Sequence, residues 1–153
     1  QIPSSVPGNI FLDLYKAGII GDPLYRFNER EYRWVSRESF WIFSKTIAAQ
    51  ELKAEDLDIS TAKLIFEGID TVAEISVNGI KVGAADNMFR SWMFDIHKAF
   101  KPGCGNIVQV TIHSPVTYSR DRARATPYEL PSSDWLKYSI PHRNMIRKSQ
   151  SDF

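Results

Sequence analysis

The dipeptide Asn78-Gly79 stands between two short runs rich in β-branched residues, Val72 to Val77 and Ile80 to Gly83. A two-residue hairpin loop needs positive φ at both central positions, and Asn-Gly meets that need with little strain. Strand geometry then puts Ala73, Ile75 and Val77 on one face and Glu74 and Ser76 on the other. One face is apolar and one polar, as in an antiparallel sheet that covers a core on one side.

The pattern returns downstream. Trp92, Phe94 and Ile96 alternate with Ser91, Met93, Asp95 and His97. After the turn-rich Lys101-Pro-Gly-Cys-Gly-Asn106, Val108, Val110 and Ile112 alternate with Gln109, Thr111 and His113. Upstream, Ser39 to Ile47 is aromatic and β-branched, and Lys63 to Glu67 reads as a further strand, followed by a short turn at Gly68-Ile69-Asp70. Short alternating strands without helical crossovers predict an antiparallel sandwich or barrel and disfavour a parallel α/β sheet. One short helix is expected over Asn9 to Ala17, with Ile10, Phe11, Leu14 and Tyr15 on one side and Gly18 closing it. Asn28 to Arg37 reads as a loop feeding a strand, Gln50 to Ser60 as a surface connection, and Ser119 to Asp134 as a long polar excursion.

Composition narrows the function. At 153 residues the chain has the length of one domain, and an apolar fraction of 43% supports a packed core. Nineteen basic and eighteen acidic residues leave a net charge of +1, which argues against a nucleic-acid partner. No apolar run is long enough to span a membrane, so no membrane partner is expected. Residues Gln1 to Gly8 lack the basic start and apolar run of a signal peptide. The single cysteine, Cys104, excludes an internal disulfide framework and lies in a turn. No Cys/His pair has metal-ligand spacing, and neither a nucleophile elbow nor a phosphate loop occurs. No cofactor and no metal are expected. The carboxylates are scattered, and sequence alone pairs none of them for glycoside chemistry.

Three segments are richer in polar and aromatic side chains than a plain sandwich requires: Tyr25 to Arg30, Ala85 to Arg90, and His142 to Phe153. Amides, carboxylates and guanidinium groups beside aromatic rings suit sugar hydroxyls and ring faces, although loop polars of this kind also serve as ordinary surface.

Phe66 to Gly79, with Val82-Gly83 after it, resembles the central hairpin of the N-terminal domain in glycoside hydrolase family two. Other segments resemble its β-mannosidase branch, most closely the animal lysosomal type: Val6-Pro-Gly8, Asp13-Leu14, Ala17 to Ile20, Asp22-Pro23, Tyr25, Asn28-Glu29, Trp34-Val35, Asp86 to Phe89 and Arg143 to Phe153. Asn9-Ile10-Phe11 departs from the branch's Cys-Val-His, and Ser151 stands where a Cys is frequent. The resemblance implies an all-β fold, an antiparallel jelly-roll β-sandwich of the galactose-binding-domain type, here with one short N-terminal helix.

It also implies a larger parent, in which immunoglobulin-like domains and a TIM barrel follow and the barrel carries both catalytic glutamates. The family sequence continues beyond the segment like Arg147 to Phe153 into a Gly-Trp-Asp-Trp-Gly-Pro motif that reaches the sugar. The expected role of residues 1–153 is then non-catalytic: docking on the remainder of the glycosidase and walling the pocket for a β-mannoside oligosaccharide. No catalytic residue is assigned. Candidates for the pocket or the inter-domain contact are Asn28, Glu29, Asn87, Arg143, Arg147, Lys148, Gln150 and Asp152. Trp135, Tyr138, Ile140 and Met145 are the expected apolar docking contributors. A lysosomal or secreted location is implied. The rivals are another family-two specificity, β-glucuronidase or β-galactosidase, and a free-standing carbohydrate-binding module.

Overall fold

The computed structural model describes residues 1–54, 59–128 and 145–146. The chain divides into two compact units, Gln1–Glu38 and Ser39–Phe153.

The first unit is built from helix and turn. Helix α1, Ile10–Lys16, starts where Oδ1 of Asn9 accepts from the Leu12 amide at 3.0 Å, which satisfies one of the helix's unpaired donors. It ends with Gly18 at φ +70, so that the Gly18 and Ile19 amides reach back to the carbonyls of Tyr15 and Leu14. Leu14, Ile20 and Val35 are buried, as is Asp13, whose carboxylate accepts from the Ser4 hydroxyl at 2.7 Å. The stretch expected as a loop holds two single-turn helices, α2 (Asn28–Glu31) and α3 (Trp34–Arg37). Short helices of this kind carry no amphipathic period for sequence reading to detect.

The second unit is a sandwich of two antiparallel sheets. Its strands are β1 (Phe40–Ile47), β2 (Lys63–Phe66), β3 (Ala73–Val77), β4 (Ile80–Ala85), β5 (Trp92–Asp95) and β6 (Asn106–His113). One sheet has the order β1-β6-β3-β4, and β2 pairs with β5 in the other. The hairpin turn forms as expected, with Asn78 at φ 52 and Gly79 at φ 80. Pairing of β3 with β4 shifts register between Ile75 and Ser76. Ala73 and Ile75 face inward, and Ile75 is wholly buried. Leu64 and Phe66 of β2 and Trp92 and Phe94 of β5 pack against them from the opposite sheet. Phe94 meets Phe66 edge-on at 6.1 Å and lies parallel to Trp92 at 6.3 Å, both within the range of favourable aromatic pairs. The outward face of the smaller sheet sets Ile65 opposite Met93 and Lys63 opposite Asp95.

Helices add to this frame where connections were expected. The segment after β1 contains α4, Ala49–Ala54, and a 3₁₀ turn at Ile59–Thr61. The polar stretch after β6 begins with α5, Pro115–Ala125, the longest helix among the described residues. The expectation of a single short helix is therefore too low. Ser114 caps α5 by accepting from the Thr117 amide at 3.3 Å, and Pro115 occupies its first turn, where a missing N–H costs nothing. Its basic run Arg120, Arg122, Arg124 lacks an apolar stripe, which is why the sequence reads as loop.

Candidate functional site

The loop between β4 and β5 carries the best-defined candidate, Asn87. Its Oδ1 accepts from the Phe89 amide at 2.9 Å, closing a turn by side chain to backbone. Its carbonyl accepts from the Trp92 indole N–H at 3.0 Å, which ties the loop to the sandwich core. Ser91 Oγ reaches the Glu67 carbonyl at 3.4 Å. The Arg90 guanidinium lies over the Trp92 ring at 4.4 Å, and Phe89 projects into solvent. The loop is thus pinned at both ends and offers exposed aromatic and cationic groups at its tip.

Asn28 and Glu29 lie in the first unit, at the start of α2. The Asn28 side chain donates to the Asp22 carbonyl at 2.8 Å, while Asp22 Oδ1 accepts from the Leu24 amide at 2.9 Å. The Asn28 amide therefore braces the Asp22-Pro23 turn. Glu29 is exposed. Beside them Arg26 and Arg30 sit over the Tyr25 and Phe27 rings at 5.2 and 4.9 Å. Leu24, Tyr25 and Phe27 are solvent-facing.

Arg143, Arg147, Lys148, Gln150 and Asp152 lie outside the described residues, as do Trp135, Tyr138 and Ile140. Met145 is half-buried and its neighbour Ile146 buried.

The strand order assembles a second feature that sequence reading missed. Where β3 starts and β4 and β6 finish, a cleft of about 380 Å³ is lined by Glu74, Asp86, Trp92, His113 and Tyr118. These residues come from four elements and a loop, so no local motif announces them. Glu74 is bonded to Lys81 at 2.5 Å, and that hydrogen bond and the ammonium charge hold its carboxyl below the usual value. At the far end of β5, hydrogen bonds from the His97 ring and backbone likewise hold the Asp95 carboxyl low. Among the described residues, no three His, Cys, Asp or Glu side chains converge as metal ligands would. No described helix is long and apolar enough to cross a membrane.

A family model for the glycosyl hydrolase 2 galactose-binding domain-like fold matches residues 1–153. The chain belongs to that family. Within it, the chain is 38% identical over 156 aligned residues to a β-mannosidase of Bos taurus, covering 100% of this chain and 17% of that protein. It is 30% identical over 152 residues to β-mannosidase A of Emericella nidulans, covering 99% of this chain and 16% of the relative. Among solved structures, a β-D-mannosidase from Dictyoglomus thermophilum superposes with a TM-score of 0.74 at 35% identity, over 86% of this chain and 16% of that one. The chain thus spans about one-sixth of the length of these family members. The antiparallel sandwich fits the galactose-binding-like description.

Proposed function

We propose that residues 1–153 form the non-catalytic N-terminal domain of a retaining exo-β-mannosidase, a hydrolase releasing terminal non-reducing β-D-mannose from oligosaccharides. The observation that carries this reading is the end-to-end similarity to β-mannosidases of about six times the length. Retaining glycoside hydrolysis uses two carboxyl groups about 5–5.5 Å apart, one as nucleophile and one as acid/base. In this reading a TIM barrel elsewhere in the parent supplies both, and immunoglobulin-like domains connect the parts. The jelly-roll sandwich docks on the barrel and walls the sugar pocket, limiting it to one terminal residue. Asn87 and the segment holding Arg143, Arg147, Lys148, Gln150 and Asp152 contribute to that wall or to the inter-domain contact, together with Asn28 and Glu29. The enzyme is lysosomal or secreted.

The test is a panel of aryl glycosides on the full-length parent. Hydrolysis of the β-D-mannoside, with little turnover of the β-D-galactoside and β-D-glucuronide, is the expected result. A preference for either of the latter two overturns the specificity. Purified residues 1–153 alone should turn over none of them.

A further inference from the structure

Asn78-Gly79 carries a covalent chemistry besides its turn. Where glycine follows asparagine, no side chain hinders the glycine amide nitrogen from attacking the asparagine side-chain carbonyl carbon. That nitrogen gives up its proton and bonds to Cγ, and the Cγ–Nδ2 bond breaks with release of ammonia. Water then opens the succinimide ring at either carbonyl and leaves aspartate or isoaspartate. Water is the sole co-reactant, and nothing is oxidised or reduced. Of the six asparagines only Asn78 precedes glycine, whereas Asn9, Asn28, Asn87 and Asn106 are followed by Ile, Glu, Met and Ile. Gly79 is exposed, and apart from its chain neighbours nothing lies within 4 Å of where its β-carbon would be. The attacking residue is thus unshielded.

The group to be attacked is held. Asn78 Nδ2 donates to the Ala99 carbonyl at 2.8 Å and to Asn106 Oδ1 at 2.7 Å, and Asn78 Oδ1 accepts from the Ile107 amide at 3.0 Å. The Asn78 backbone N–H donates to the Ile107 carbonyl at 2.8 Å. Ring closure requires Cγ to swing back toward the Gly79 nitrogen and the departing Nδ2 to leave both its acceptors. Neither happens while the turn stays bonded to the start of β6.

We propose that Asn78 is a deamidation site closed by the native fold, reacting only when the β3–β4 turn separates from β6. Reaction then prevents re-closure. Aspartate at position 78 sets carboxylate oxygens against the Ala99 carbonyl and Asn106 Oδ1, so two donated bonds become acceptor–acceptor contacts. Asn106 cannot turn its amide round to help, because its Nδ2 serves the Lys101 and Cys104 carbonyls. Isoaspartate lengthens the backbone inside a two-residue loop whose geometry sets the register of the hairpin. An opening that ends in reaction is thus recorded permanently at this residue. Nothing in this depends on the parent's substrate.

The full-length parent is incubated in mildly alkaline buffer, native and unfolded in guanidinium chloride, and conversion at Asn78 is followed by peptide mass mapping. Native conversion should be slower by about tenfold or more, because the open form of a hydrogen-bonded turn is a minor population. Under rising sub-denaturing guanidinium chloride, conversion should climb in parallel with hydrogen exchange of the Ile107 amide, which is bonded to Asn78 Oδ1. Asn106→Ala removes one acceptor of Nδ2 and should raise native conversion severalfold. Asn78→Asp, which matches one product, should speed exchange of the Ile107 amide. If Asn106→Ala fails to fold, the wild-type comparison of conversion with Ile107 exchange decides. No conversion in the unfolded chain, or equal conversion native and unfolded, overturns the proposal. So does conversion that ignores Ile107 exchange, a folded Asn106→Ala converting at the wild-type rate, or wild-type exchange in Asn78→Asp.

Discussion

The side-chain amide of Asn78 donates to Oδ1 of Asn106 at 2.7 Å, across 28 residues of chain. The same amide reaches the Ala99 carbonyl at 2.8 Å, and Asn78 Oδ1 accepts from the Ile107 amide at 3.0 Å. Asn106 is wholly buried and also receives the Lys101 amide at 2.7 Å while donating to the Lys101 and Cys104 carbonyls at 3.0 Å. Two amides thus lock the β3–β4 turn to the start of β6. Replacing Asn106 with Ala removes four hydrogen bonds at once, to Asn78, to the Lys101 amide and to the Lys101 and Cys104 carbonyls. A loss of about 2–4 kcal/mol is expected, because each bond is worth roughly 0.5–1.5 kcal/mol net and such terms do not add fully. Urea unfolding measures it. Asn106→Asp should not rescue, since a carboxylate cannot donate to the two carbonyls.

Gly83, on β4, stands directly against the ring of Phe94 in the opposite sheet. A β-carbon there would lie 2.1 Å from Cδ1 of Phe94, an aromatic ring fixed between Phe66 and Trp92. Gly83→Ala is expected to cost about 1–3 kcal/mol through overpacking. Adding Phe94→Leu should recover part of it. Thermal melts of the single and double variants check this, and additive losses would exclude the contact as the cause.

Trp92→Phe removes the indole donor to the Asn87 carbonyl while keeping an aromatic ring in the core. Stability should fall by about 1 kcal/mol, the usual net worth of one hydrogen bond. If Asn87 helps wall the sugar pocket, KM for an aryl β-mannoside rises in the full-length enzyme. An unchanged KM leaves Asn87 as a turn residue.

The paired carboxylates set a pH dependence. Lys81 holds the Glu74 carboxyl low, and His97 does the same for Asp95. A carboxyl lowered in the folded state stabilises the fold above its unfolded value, near 4, and that contribution disappears as pH falls through the folded value. Wild type should therefore melt slightly above Glu74→Gln at pH 6, and the two should converge as pH drops below about 3–4. A gap that widens on acidification would reverse the sign and exclude this origin.

Arg147 lies outside the described residues, and its prediction rests on sequence. A guanidinium can clamp a carboxylate with two parallel bonds, and breaking a buried pair costs about 3–5 kcal/mol. Arg147→Ala in the full-length parent should lower kcat/KM more than tenfold with the fold intact. Unchanged kinetics and melting temperature would mark Arg147 as a surface charge.

The sandwich was legible because its signals are local. Asn78-Gly79 dictates its own turn, and the alternation around Ile75, Phe94 and Val110 names the buried face directly. The Asn9 cap and Gly18 stop likewise mark α1 at both ends. Helix α5 was not legible, since its basic, weakly amphipathic run hides behind only two markers, Ser114 and Pro115. Sheet order was also beyond local reading. Lys63 to Glu67 and Val72 to Val77 are neighbours in sequence but enter different sheets. For the same reason Asn87 was found within a motif, whereas Glu74, His113 and Tyr118 become neighbours only once β3, β6 and α5 are in place.

The outward pair Ile65 and Met93 carries one more consequence. Both side chains are more than half exposed, at 59% and 58%. A solvent-facing thioether is open to oxidation, and its sulfoxide would wet this patch without touching the core beneath. The oxidation rate of Met93 under dilute peroxide is therefore a built-in gauge of what lies over the smaller sheet. It should be fast in residues 1–153 alone and slowed in the parent wherever another part of the enzyme covers that face.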